Sequence, residues 1–111
     1  MLFSKIKTEE LIHRLQNDED LLEICKLIPK KQYNAIFDEL QAYPAIAEPK
    51  LYLQIGQLMK CISDNLKDPV RYLTVLFQLA NRYLWSGRLS EAEPYYTEYF
   101  SKISDRIFQV I

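Results

Sequence analysis

Glycine is nearly missing from this chain, with 2 in 111 residues. Few turns of positive φ can be built from that supply, which argues against a sandwich or barrel and for long, uninterrupted elements. Histidine occurs once, as His13, and the two cysteines, Cys25 and Cys61, stand 36 positions apart with no CxxC spacing. One imidazole and two distant thiols make no recognisable zinc set. No GxxxxGK, GxGxxG or GxSxG occurs, so phosphate cradles and nucleophile elbows are lacking. There is no apolar run of about 18 residues, and "MLFSKIKTEELIHRL" lacks the apolar centre of a secretion signal. A cytoplasmic protein with two reduced, buried thiols is expected. Charge of either sign is not in excess: residues 1–50 carry 7 positive and 9 negative side chains, residues 51–111 carry 7 and 6. That balance gives no footprint for nucleic acid or a membrane surface.

What the chain does have is apolar residues at three- and four-residue spacing, almost without strict alternation. The spacing predicts an all-α domain over residues 1–111, with about six helices stacked as antiparallel hairpins. The first runs from about Thr8, as N-cap, to Asn17. A second follows Asp18 with Leu21, Leu22, Ile24, Cys25 and Ile28, and Pro29 then opens a third carrying Tyr33, Ile36, Phe37 and Leu40. Pro44 and Pro49 break the pattern. Pro49 begins a long fourth helix with Leu51, Ile55, Leu58, Met59 and Ile62. Asp68 and Pro69 cap and start the fifth, whose stripe is Val70, Leu73, Leu76, Phe77, Ala80, Tyr83 and Leu84. Gly87 suits a left-handed helix end. Ser90 and Glu93 read as a capping box for the sixth helix, with an irregular first turn at Pro94.

The segment "NRYLWSGRLSEAEPYYTEYF" within Leu76–Phe100 resembles a tetratricopeptide repeat. Leu79 and Ala80 occupy the Leu-Gly positions of the family's first helix, and Tyr83 the aromatic one. Gly87 matches the turn glycine, Leu89 the large residue after it, Glu91 and Ala92 the opening of the second helix, and Tyr96 its aromatic. Leu76 replaces the usual tryptophan, Tyr99 a small alanine, and no proline closes the repeat. The match covers about a quarter of the chain; "LQIGQLM" (Leu53–Met59) is only faintly like a first helix, and Gly56 and Ala80 are 24 positions apart rather than about 34. The resemblance implies a right-handed stack of hairpins, not a regular tandem array. It also implies a concave groove for a partner polypeptide, lined by Thr74, Phe77, Asn81, Leu84 and Trp85, in which the Asn81 amide meets a peptide backbone.

Catalytic, cofactor and metal residues are not expected. His13 lies among polar neighbours on a helix, and Cys25 lies on an apolar stripe, which favours an inert thiol over a thiolate pair. "NDEDLLE" (Asn17–Glu23) lacks the glycine and terminal glutamate of a calcium loop and reads as helix-capping residues. Lys30-Lys31 is the only adjacent basic pair, and Arg71, Arg82 and Arg88 read as solvated helix surface. Tyr83, Tyr96 and Phe100 are spaced to fill the core, while Asn81 and Trp85 fall to one side of that stripe. The function expected is a non-catalytic protein that holds or masks another protein, as a dedicated chaperone or toxin-neutralising immunity protein does. The alternative is a scaffold subunit or homo-oligomer using the same aromatic surface. No small-molecule substrate is evident.

Overall fold

The computed structural model describes residues 5–43 and 48–110, with backbone alone for residues 106–110. Six α-helices are present among them: α1 (Thr8–Gln16), α2 (Leu21–Lys26), α3 (Tyr33–Gln41), α4 (Pro49–Leu66), α5 (Pro69–Trp85) and α6 (Leu89–Val110). A single 3-10 turn, Lys30–Gln32, leads into α3, and no strand occurs among the described residues. Pro44 lies outside the described residues; Pro49 takes the first helical position of α4, where its missing N–H costs nothing.

The helix ends obey local chemistry, though not always at the expected residue. Asp68 caps α5, its carboxylate accepting from the Arg71 N–H at 3.1 Å, with Pro69 next in line. Gly87 stands at φ +77 and closes α5: its N–H bonds to the Leu84 carbonyl, and the Arg88 N–H reaches back to Tyr83. That pair of bonds is a Schellman ending. Asp18 does the same for α1 at φ +58, so it terminates one helix and does not open the next.

Three of the expected helix starts are displaced. Lys7 caps α1 through its carbonyl, while Thr8 is buried and donates its hydroxyl to Glu39 on α3. Pro29 precedes the 3-10 turn and does not sit in α3 itself. Helix α6 starts at Leu89 on the Arg88 carbonyl, which leaves Ser90 already helical and no capping box. The helix runs on through Pro94, whose missing N–H removes one backbone bond without breaking the element.

The long helices form a sheet of three, with α5 between α4 and α6, and α1, α2 and α3 pack onto α4. Two-residue and three-residue links set neighbouring long helices antiparallel. The larger buried cluster joins Leu11, Leu15, Ile24, Ile36, Leu40, Ile55, Leu58 and Ile62 from α1 to α4. Each such side chain contributes about 1.5–3 kcal/mol on burial. A smaller cluster, Leu53, Leu79, Tyr83 and Ala92 with Tyr95 and Tyr96, joins the three long helices. Small residues set the spacing there. Ala80 and Ala92 are fully buried, and a Cβ on Gly56 would stand 2.7 Å from Leu79 Cδ1. A Gln57 side chain donates to the hydroxyls of both Tyr83 and Tyr95, joining α4, α5 and α6 by a polar rung.

Candidate functional site

The outer face of α5 has one property that sets it apart from an ordinary solvated helix. Its exposed positions are Pro69, Val70, Thr74, Phe77, Leu84 and Trp85, and none of them is charged. A helix facing water normally carries charged side chains there. Val70, Phe77 and Leu84 recur every seven residues, so they line up along one edge of the helix, with Thr74 and Asn81 between them. Val70 is 60% exposed, Phe77 40%, Leu84 41% and Trp85 75%.

Beside this strip α6 supplies an aromatic wall. Phe77 lies 5.0 Å from the Tyr99 ring and 6.0 Å, edge-on, from Tyr96, and Tyr99 meets Phe100 edge-on at 5.3 Å. Between the two helices runs a groove of about 510 Å³ lined by Val70, Leu73, Thr74, Phe77, Gln78, Tyr99 and Ile103. Thr74 turns its hydroxyl back onto the Val70 carbonyl, donating to it at 3.0 Å. That bond engages Thr74, and the Gln78 amide and Tyr99 hydroxyl are the other polar groups of the groove.

Of the five residues expected to line a binding surface, Thr74 and Phe77 stand in the groove, and Leu84 and Trp85 continue the strip toward the α5–α6 turn. Asn81 is half-buried and its side-chain oxygen accepts a hydrogen bond from the Tyr96 hydroxyl. One of its polar atoms thus serves the α5–α6 seam. Val70, Leu73, Tyr99, Phe100 and Ile103 were not anticipated as surface residues. Val70 belongs by spacing to the expected core stripe, but it lies on the same outward edge of α5 as Phe77 and Leu84. Phe100, expected in the core, is 58% exposed. It stands about 100° round α6 from Tyr99, on the flank away from α5. The available signal was the edge itself: Val70, Thr74, Phe77, Asn81 and Leu84 follow one another at helical spacing with no charged residue among them.

Arg82 corrects the reading of solvated basic residues. It is only 6% exposed, its guanidinium lies 3.9 Å from the centre of the Tyr52 ring, and Nη1 donates to the Tyr52 carbonyl at 2.9 Å. Burial lowers its pKa from the ordinary guanidinium value. His13, by contrast, is exposed beside Asn17. A second cleft, of about 790 Å³, opens at the α4–α5 turn between Asp64, Lys67, Asp68, Tyr72, Lys102 and Asp105. Its Tyr72 hydroxyl donates to Glu98 at 2.7 Å, and burial followed by that bond raises the Tyr72 pKa. Lys60 and Lys102 approach the same ring. No group of three or more metal-ligating side chains is assembled among the described residues. No helix there is long and apolar enough to cross a membrane.

Compared with protein-family models, curated proteins and solved structures, the chain matches none of them.

Proposed function

We propose that this chain is a non-catalytic protein-binding module that holds one partner polypeptide on the outer face of α5 and α6. The observation that carries the reading is the uncharged strip Val70–Thr74–Phe77–Leu84–Trp85 flanked by the α6 rings of Tyr96 and Tyr99. The seven-residue spacing and a helix of 17 residues, about 25 Å long, suit an amphipathic helix of the partner laid along the groove. Its contacting face would be apolar and free of charge, because no charged group on the exposed α5 strip could balance one. Trp85 and Phe77 are the natural anchors, since tryptophan and other large aromatics dominate interface energetics. A tetratricopeptide-like hairpin that masks a partner, in the manner of a dedicated chaperone or an immunity protein, is the role we assign to it.

The same uncharged strip favours a second reading, a homo-oligomer, because two copies could meet there without like-charge repulsion. The two readings separate in one experiment. The wild-type chain and Trp85→Ala are used to capture partners from the native organism, with melting temperature and sedimentation measured for both. A single stoichiometric polypeptide retained by wild type and lost by Trp85→Ala supports the masking role. The expected loss is about 2 kcal/mol in affinity, against a change of about 0.5 kcal/mol or less in the stability of the free chain. Equal retention by both proteins would refute this use of the face, and concentration-dependent dimers of wild type alone would favour self-association.

A further inference from the structure

The fold brings the chain's two cysteines together. Cys25 on α2 is 1% exposed and belongs to the larger buried cluster, and Cys61 on α4 is half-buried against that cluster. Asn65, one helical turn beyond Cys61, directs its side-chain nitrogen to the Cys25 sulfur at 3.4 Å. Cys61 and Asn65 therefore stand on the same edge of α4, over Cys25. The sequence contains no third cysteine to compete for either thiol. Burial, then the neighbouring Cys61 thiol and Asp64, push the Cys25 thiol up to about 12. The two sulfurs are thus unequal: Cys61 meets solvent, and Cys25 is shielded and held protonated.

We propose that Cys25 and Cys61 form a dithiol site that a peroxide converts to an intramolecular disulfide, fastening α2 to α4. The Cys61 thiolate attacks a peroxide oxygen, the O–O bond breaks, and the leaving hydroxide departs as water after taking a proton. The sulfenic acid left on Cys61 is then attacked by the Cys25 sulfur. The S–O bond breaks, and the oxygen leaves as a second water carrying the Cys25 proton. Two thiols lose two electrons and hydrogen peroxide accepts them. The bridge closes a loop spanning 36 positions and ties the short helices α1 to α3 to the long-helix array. A cross-link of that kind restricts the unfolded chain and raises the melting temperature. It lies away from the outer face of α5, so it stands independently of the binding role.

The test uses the reduced 111-residue chain, treated with hydrogen peroxide in native buffer and quenched with an alkylating reagent under denaturing conditions. The expected product has lost two hydrogens, has no alkylatable thiol, migrates as a monomer, and melts several degrees higher until a reductant is added. Phenylarsine oxide, which bridges two close thiols, should bind wild type once and protect both cysteines, and should not be retained by Cys61→Ser. The arsenical arm needs no core variant and reads the proximity of the sulfurs directly. Cys61 gaining oxygen while Cys25 stays free, a Cys61-linked dimer, or failure of the arsenical to protect both thiols would each overturn the proposal.

Discussion

Arg82 carries a guanidinium into the seam between α4 and α5, where the described residues offer it no carboxylate within ion-pair distance. What holds it is the face of Tyr52, a backbone carbonyl and the flat packing of its own stem. The carbonyl is an already helical one, so loss of the guanidinium orphans no acceptor. Arg82→Met should therefore be close to neutral or mildly stabilising, whereas Arg82→Ala, which empties the space, should cost about 2 kcal/mol. Melting curves of the two variants check this; equal losses in both would mean that the charge, not the volume, stabilises the seam. The sequence alone pointed the other way, because an arginine between Asn81 and Tyr83 looks like any exposed helix residue. Its burial follows from Gly56: the missing side chain on α4 leaves the room that Arg82 and Leu79 fill.

At the scale of elements, most of the architecture was legible. Apolar spacing located all six helices, and Asp68, Pro69, Pro49 and Gly87 marked ends whose dihedral demands only those residue types meet cheaply. The failures lie where a backbone group did the capping that a side chain was expected to do, as at Lys7 and Arg88. A carbonyl leaves no trace in residue identity. Lys67 is another such place: it closes α4 in the left-handed region at φ +54, with no glycine to announce the turn. An L-residue there is held about 1–2 kcal/mol above its preferred conformation. Allowing for the greater freedom of glycine in the unfolded chain, Lys67→Gly should stabilise by about 0.5–1 kcal/mol. A lower melting temperature in that variant would mean that the lysine side chain makes a contact that outweighs its backbone strain.

The whole molecule is a flattened, elongated stack, 51 × 33 × 22 Å, with a radius of gyration of 14.8 Å against about 13 Å for a compact domain of this length. Helix α5 is covered by α4 and α6 and open along one face only, and that face was only half legible. Periodicity separates core from surface when a helix is covered on one side, yet Val70 and Phe77 belong by spacing to the stripe and by geometry to the outside. The buried ionisable groups also set a property of the entire fold. Burial raises the thiol of Cys25 to about 12 and raises the pKa of Tyr72 and Tyr83 above the ordinary phenol value. All three are neutral when protonated and hold the proton more tightly when folded. Their contribution is intact below about pH 9 and is lost as pH rises toward 12, because ionisation favours the unfolded chain. The melting temperature should fall steadily through this alkaline range, and Cys25→Ala should remove the earliest part of the fall. A flat profile to pH 11 would contradict the burial assigned to these groups.

Trp85 offers the most direct measurement of the central claim, because it is the only tryptophan in the chain and stands 75% exposed on the proposed contact face. Its fluorescence reports that face alone. In the free protein the indole should emit as a water-exposed group and be quenched efficiently by iodide. When a tryptophan-free helical segment of a captured partner is added, the emission should shift to shorter wavelength and the quenching should fall, saturating at one segment per chain. A segment that binds stoichiometrically while leaving both the emission and the iodide quenching of Trp85 unchanged would show that the partner sits elsewhere.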